Sequence, residues 1–236
     1  MDDLESKAVD LLESNKLRRA ERVLHQMLAQ DRNCLAAHFH LARVYWRTGE
    51  NQKALHHARR TIRLNPKERN AHLNLGLIHE LMGNRKAAIA NYRKELSLNP
   101  GSPETLWNLG RLHFDSRRWQ AASRHLQRCM DIGYLHEIED TADKLGICYY
   151  RRRDVRSYIR LYSNYVRMFP GAGWAVSNLG NALLHAKNYR RAVLWLTAAK
   201  RLGGGTKTDD NLAFARKKLK AERLMNFPDD KPPGDG

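Results

Sequence analysis

Asn74, Asn108 and Asn178 each open an Asn-Leu-Gly triplet. A side-chain amide donates and accepts hydrogen bonds at once, so a row of asparagines can recognise a polar partner. The interval from Asn74 to Asn108 sets the spacing of such a row, and His40 and Lys144 stand where its further members would fall. A second set is aromatic and basic: Trp46, Trp107, Phe114, Tyr150 and Trp174 are interleaved with Arg43, Arg47, Arg111 and Arg151. Rings and guanidinium groups are the side chains that carry interface energy. Both sets point to recognition.

Bond-making chemistry finds no comparable arrangement among the eleven histidines and three cysteines. His38-x-His40 and His56-His57 lack cysteine or carboxylate partners at ligand spacing. His38 with His72, and His79 with His113, instead repeat the interval from Asn74 to Asn108, as packing positions do. Cys34, Cys129 and Cys148 match no disulfide or zinc framework. Glu137, Glu139, Asp140 and Asp143 cluster at the start of a predicted helix, where carboxylates offset the positive helix end. Gly203-Gly204-Gly205 lacks the lysine and hydroxyl of a phosphate-binding loop. No nucleophile has an identifiable base. The expectation is a chain that is no enzyme and takes no cofactor and no metal.

The elements that position these side chains follow from a period. Ala8, Ala42, Gly76 and Gly110 are evenly spaced, and Ala20, Ala54, Ala88 and Ala122 recur at the same interval. Gly146 follows Gly110 at a slightly longer interval, Gly180 restores the regular one, and Leu75, Leu109, Leu145 and Leu179 precede these four glycines. Glycine inside a helix costs about 1 kcal/mol relative to alanine, so each recurrence implies a close helix contact that offsets it. Gly49 and Gly83 lie midway, where a first helix would end in a left-handed cap. Pro66, Pro100 and Pro170 would stop a second helix. A period of about 34 residues predicts an array of two-helix units.

The pattern resembles the tetratricopeptide repeat (TPR) family. Leu41, Ala42, Tyr45, Gly49, Ala54 and Pro66 stand at consensus places, and Leu75, Gly76, Gly83, Ala88, Tyr92 and Pro100 repeat them. Leu106, Leu109, Gly110, Trp119, Ala122 and Leu126 give them again. The resemblance implies an all-α superhelical solenoid of antiparallel helix pairs. Its six repeats would span 1–206, at 1–34, 35–68, 69–102, 103–138, 139–172 and 173–206. A capping helix is expected over 207–225, with Leu212, Ala215 and Leu219 on one stripe and Arg216, Lys217, Lys218 and Lys220 on its other side. The stretch 226–236, rich in proline, glycine and aspartate, is expected to be a disordered tail. Two departures stand out. The fourth repeat carries two extra residues near Asp131-Ile132-Gly133-Tyr134, and the fifth has Tyr158 in place of a small residue, among Tyr149, Tyr150, Tyr162 and Tyr165. A ring at the closest helix contact should spread that pair or shift its crossing. The alternatives are local repacking around tyrosines and a kink between repeats 1–4 and 5–6.

In the TPR family the first helix of each repeat lines a concave groove. By this resemblance the second repeat places Phe39, Arg43, Trp46 and Arg47 there, and the third places Asn74 and Leu77. Trp107, Asn108, Arg111 and Phe114 come from the fourth, Lys144 and Tyr150 from the fifth, and Asn178 from the sixth. The asparagines are similar to the ladder with which some TPR arms clamp an extended peptide; asparagine is also common at this place in TPRs, and both readings stand. The expected function is a protein-interaction scaffold or adaptor whose groove takes a partner peptide or helix with hydrophobic anchors and acidic flanks. A chaperone-type carboxylate clamp is not expected, because its positions read Phe39 and Arg43, then Asn74, then Glu104 and Asn108, and Glu104 would repel a terminal carboxylate.

The formal net charge is +17, with clusters such as Arg59-Arg60 and Arg151-Arg152-Arg153. Such a surface attracts acidic proteins, nucleic acid or anionic lipid. Two alternatives to a protein partner therefore remain: RNA or DNA binding through the basic surface, and docking to an envelope or secretion assembly complex through the basic end. The chain lacks the repeat-by-repeat pairing of base-reading residues seen in coded RNA readers. No apolar run approaches the ~18 residues of a membrane span, and the acidic start Met1-Asp2-Asp3-Leu4-Glu5 does not read as a secretory signal. With no disulfide framework, a cytoplasmic setting is expected.

Overall fold

The computed structural model describes residues 2–133, 138–204 and 206–226. Among them are thirteen α-helices and no strand, arranged in two compact units that divide between residues 136 and 137. In the first unit α1 (Asp2–Glu13) pairs with α2 (Leu17–Gln30), α3 (Leu35–Thr48) with α4 (Asn51–Leu64), α5 (Ala71–Leu81) with α6 (Arg85–Leu98), and α7 (Pro103–Asp115) with α8 (Trp119–Asp131). The second unit pairs α9 (Ile138–Arg151) with α10 (Val155–Met168) and α11 (Gly173–His185) with α12 (Tyr189–Arg201), and adds α13 (Thr206–Asn226). No helix of the described residues is long and apolar enough to cross a membrane.

Local chemistry sets the helix ends. Gly49 caps α3 at φ 78° and returns its amide to the carbonyls of Tyr45 and Trp46. Gly83 takes the same conformation in the third pair, but in the fourth, fifth and sixth pairs the left-handed residue is not glycine: Arg117, Arg153 and Lys187 hold φ of 56°, 57° and 57°. A residue with a Cβ pays roughly 1–2 kcal/mol in that region. Ser102 caps α7, accepting from the Thr105 amide, with Pro103 in the first helical turn. Asn65, Asn99 and Phe169 are the C-caps of α4, α6 and α10, each followed directly by a proline.

The small-residue series forms the contact between the helices of a pair. Ala8, Ala20, Ala42, Ala54, Ala88, Ala122 and Ala192 are all buried. In the first unit a core of Leu12, Leu24, Met27, Leu41, Tyr45 and Ile78 continues into one of Leu73, Tyr92, Leu109 and Leu112. Leu145, Tyr162, Leu179 and Leu196 are buried in the second. Cys34, Cys129 and Cys148 are each buried and free.

The two departures in the period have structural counterparts. After α8, Ile132 and Gly133 form the last described turn, with Gly133 at φ 79°; Tyr134 and the acidic residue Glu137 lie outside the described residues. Tyr158 is buried on α10 with its ring edge against Tyr162. Of the six pairs, α9 and α10 share the least close backbone approach, as a ring at a small-residue position requires. On α13, Thr208, Leu212 and Ala215 are buried, and the Thr208 hydroxyl meets that of Ser177 on α11 at 2.8 Å. Of the expected tail, only Asn226 falls within the described residues, as the last residue of α13.

Candidate peptide-binding faces

On α3, Phe39 and Trp46 are half-buried while Arg43 and Arg47 are exposed. The Phe39 ring stands edge-on to His40, whose imidazole is pushed down to about 4, chiefly by burial and then by the Arg43 charge. Arg43 has no ion pair among the described residues, whereas Arg47 donates to the Leu12 carbonyl at 3.0 Å and so ties α3 to α1. The indole Nε1 of Trp46 is buried without a hydrogen-bond partner.

Asn74, on α5, also carries a buried donor without an acceptor, its Nδ2. Leu77 on the same helix is half-buried and packs on the core around Tyr92 and Leu109. On α7, the Nε1 of Trp107 is a third such donor. The Trp107 ring lies beneath the Arg111 guanidinium, 5.3 Å from its centroid. Phe114 is half-buried with its ring edge-on to Trp119.

Asn108 and Arg111, expected contributors like Arg47, are also engaged within the fold. Asn108 is buried and spends its Nδ2 on the Glu104 carbonyl of its own helix, at 2.9 Å. Its Oδ1 accepts from Arg111 at 3.4 Å. Arg111 is itself ion-paired with Glu80 of α5 and reaches Asp115 at 3.6 Å, so two carboxylates already neutralise its charge. The Tyr92 hydroxyl donates to the same Glu80 at 3.0 Å. Glu80 is not among the expected site residues, although it lies one period after Trp46 and one before Phe114 and so shares their register.

In the second unit Lys144 is ion-paired with Asp140, one turn earlier on α9. Asn178 is half-buried on α11. Trp174 packs against Tyr165 of α10, with ring centroids 4.9 Å apart. Tyr150 is exposed and faces His185 of α11 at 4.6 Å, over a cavity that α13 helps to line. Asp143 is held above the usual carboxylate range by desolvation, while the Tyr162 hydroxyl donates to it.

The histidines meet in pairs. His38 Nε2 lies 3.1 Å from the Arg32 carbonyl and donates to it, which leaves Nδ1 as the acceptor for the His57 Nδ1–H at 2.8 Å. Two imidazoles bonded to each other form a packing contact between α3 and α4. His113 and His125 meet differently between α7 and α8, as near-parallel stacked rings with centroids 5.7 Å apart.

Residues 6–55, 41–103 and 144–205 match the tetratricopeptide repeat family, and the chain belongs to that family. Solved structures show the same all-α TPR solenoid fold. The C-terminal part of a TPR repeat-containing protein from Cytophaga hutchinsonii superposes with a TM-score of 0.69 at 15% identity, over 94% of this chain and 89% of that one. YrrB, a TPR protein with an unusual peptide-binding site, gives 0.64 at 15% identity, over 85% of this chain and 98% of its own. A chain of the APC/C hetero-tetramer Cut9–Hcn1 gives 0.57 at 20% identity over 90% of this chain, which spans 42% of its length. None of the curated protein sequences matches the chain significantly. A TPR fold is in general a scaffold for protein–protein interaction.

Proposed function

We propose that this TPR protein is an adaptor that holds an extended segment of a partner protein, acidic and hydrophobic in character, on the faces of its first helices. In this reading the six helix pairs are six TPR repeats and α13 is their cap. The observation that carries the proposal is the pair of unsatisfied donors on neighbouring first helices, Asn74 Nδ2 on α5 and Trp107 Nε1 on α7. A buried donor left unpaired costs roughly 1–3 kcal/mol, and a carbonyl of a bound chain removes that penalty. Arg43, exposed and unpaired one repeat away, supplies attraction for acidic flanks. The peptide-binding site named for YrrB supports the class of ligand.

The role is binding, with Asn74 holding backbone and Trp46, Trp107 and Phe39 as anchors. Panning a random peptide phage library on the immobilised full chain tests it. The proposal expects enriched acidic peptides with an apolar anchor, whose binding falls at least fivefold on Arg43→Glu and on Trp107→Phe. Enrichment of sequences bound equally by both variants would contradict the assignment.

A further inference from the structure

Two adjoining cavities of the second unit, each about 630 Å³, share Tyr150, Tyr158, His185 and Lys187. A volume of that size is typical of ligand pockets. We infer that this double cavity is an anchoring subsite for an aromatic side chain flanked by carboxylates in the partner segment, an inference that rests on the adaptor reading above.

Three features support this occupant. The walls are aromatic and set at angles to one another: Tyr150 and His185 are inclined at 52° with centroids 4.6 Å apart, and Tyr158 lies behind both at 6.5 Å. Phe214 of α13 closes another side and is 49% exposed, so a large apolar surface awaits cover. Phe214 falls one period after Gly180, at the place where a helix pair makes its closest contact, and no second helix follows α13 among the described residues.

The polar equipment suits a peptide. Asn211 Nδ2 donates to Asn181 Oδ1 at 2.7 Å, which leaves the Asn181 Nδ2 donor and the Asn211 Oδ1 acceptor to match a backbone carbonyl and amide. No carboxylate lines either cavity, and Lys187, Arg151 and Arg153 stand on the rim without an ion pair among the described residues. Lys187 and Arg153 both hold the left-handed conformation at turns where the second and third pairs have Gly49 and Gly83. The fold thus carries two strained cations at the mouth of one aromatic cavity. A single nucleic-acid strand would also match the charge, but bases stack on parallel faces, and these rings form the walls of a pit.

The test is fluorescence anisotropy on the full chain with a labelled, end-blocked peptide of sequence Asp-Glu-Trp-Glu-Asp. Replacing its Trp by Ala, or Tyr150→Ala in the protein, should each weaken binding at least fivefold. The double variant Arg153→Gly with Lys187→Gly should weaken it comparably while the thermal midpoint stays equal or rises, because glycine relieves the left-handed strain. That separates lost charge from lost structure. Equal affinity for all these variants would overturn the subsite, as would tighter binding of labelled oligouridine that alone falls on Tyr150→Ala. Panned peptides that respond to Arg43→Glu but not to Tyr150→Ala would leave the adaptor reading standing and remove this subsite; peptides indifferent to both would remove the adaptor reading itself.

Discussion

Tyr92 lies so near Gly76 that a Cβ added at the glycine would come within 3.0 Å of two carbons of the tyrosine ring. The same relationship joins Gly146 to Tyr162. Each glycine lies on the first helix of a pair whose second helix carries the tyrosine, and the sequence interval between them is the same in both pairs. At the equivalent places in the second pair Ala42 precedes Ala58 by that interval, and no glycine is needed.

Gly76→Ala and Gly146→Ala should therefore destabilise the fold by about 1–2 kcal/mol, since overpacking outweighs the gain in helix propensity. Gly101→Ala, where a Cβ meets nothing within 4 Å, should change stability by less than about 0.5 kcal/mol. Urea unfolding of the three variants checks this. In a Tyr92→Ala background the penalty at Gly76 should vanish.

The Tyr92 hydroxyl continues the chain of contacts to Glu80, and Glu80 continues it to Arg111. Both partners of that ion pair are about a quarter exposed, so a double-mutant cycle between Glu80→Ala and Arg111→Ala should give a coupling of only about 0.5–1 kcal/mol. Arg111→Glu would set a third carboxylate against Glu80 and Asp115 and should lower stability more than Arg43→Glu. Thermal unfolding at low salt distinguishes the two. Charge reversal at Arg43 is accordingly the cleaner probe of partner binding.

Acid should weaken the fold through its histidines. Burial pushes His40, His57 and His125 from 6.5 down to about 4. Neighbouring charges contribute smaller parts of the same drop: Arg43 acts on His40, His38 and His56 on His57, and His113 on His125. Between about pH 6.5 and pH 4 the unfolded chain binds more protons than the folded one at these sites. Their stabilising effect is complete above pH 6.5, falls as the pH drops, and has no more to lose below about 4. His40 and His57, both buried, should each account for on the order of 2 kcal/mol over that window. His57→Asn should flatten the pH dependence of the urea midpoint between pH 6.5 and 4.

The helix pairs were readable because the period records a backbone contact that tolerates only small residues, and Leu-Gly dipeptides mark it even at Gly146 and Gly180. Side-chain pairing was far less readable. Arg111 and Glu80 stand on neighbouring first helices, and only the stacking of one pair on the next brings them together. The period lists Asn74 and Asn108 as equals, yet one amide lacks a partner and the other bonds back to Glu104. That difference depends on Arg111 beside Asn108 and on local packing, which a one-dimensional pattern does not contain. Phe214 could have been found by extending the alanine and glycine series one more step, to a place where the small residue gives way to a ring.

The claim that a bound chain satisfies the donors of the first helices is tested most directly by the indole signals in a two-dimensional ¹H–¹⁵N spectrum. The full chain has five tryptophans, and a saturating acidic peptide from the panning experiment supplies the partner. The account predicts that the Nε1–H resonances of Trp107 and Trp46 move downfield as they acquire acceptors, while those of Trp119 and Trp195 stay in place. Unmoved Trp46 and Trp107 signals beside shifted Trp119 or Trp195 signals would place the partner on the second helices and contradict it.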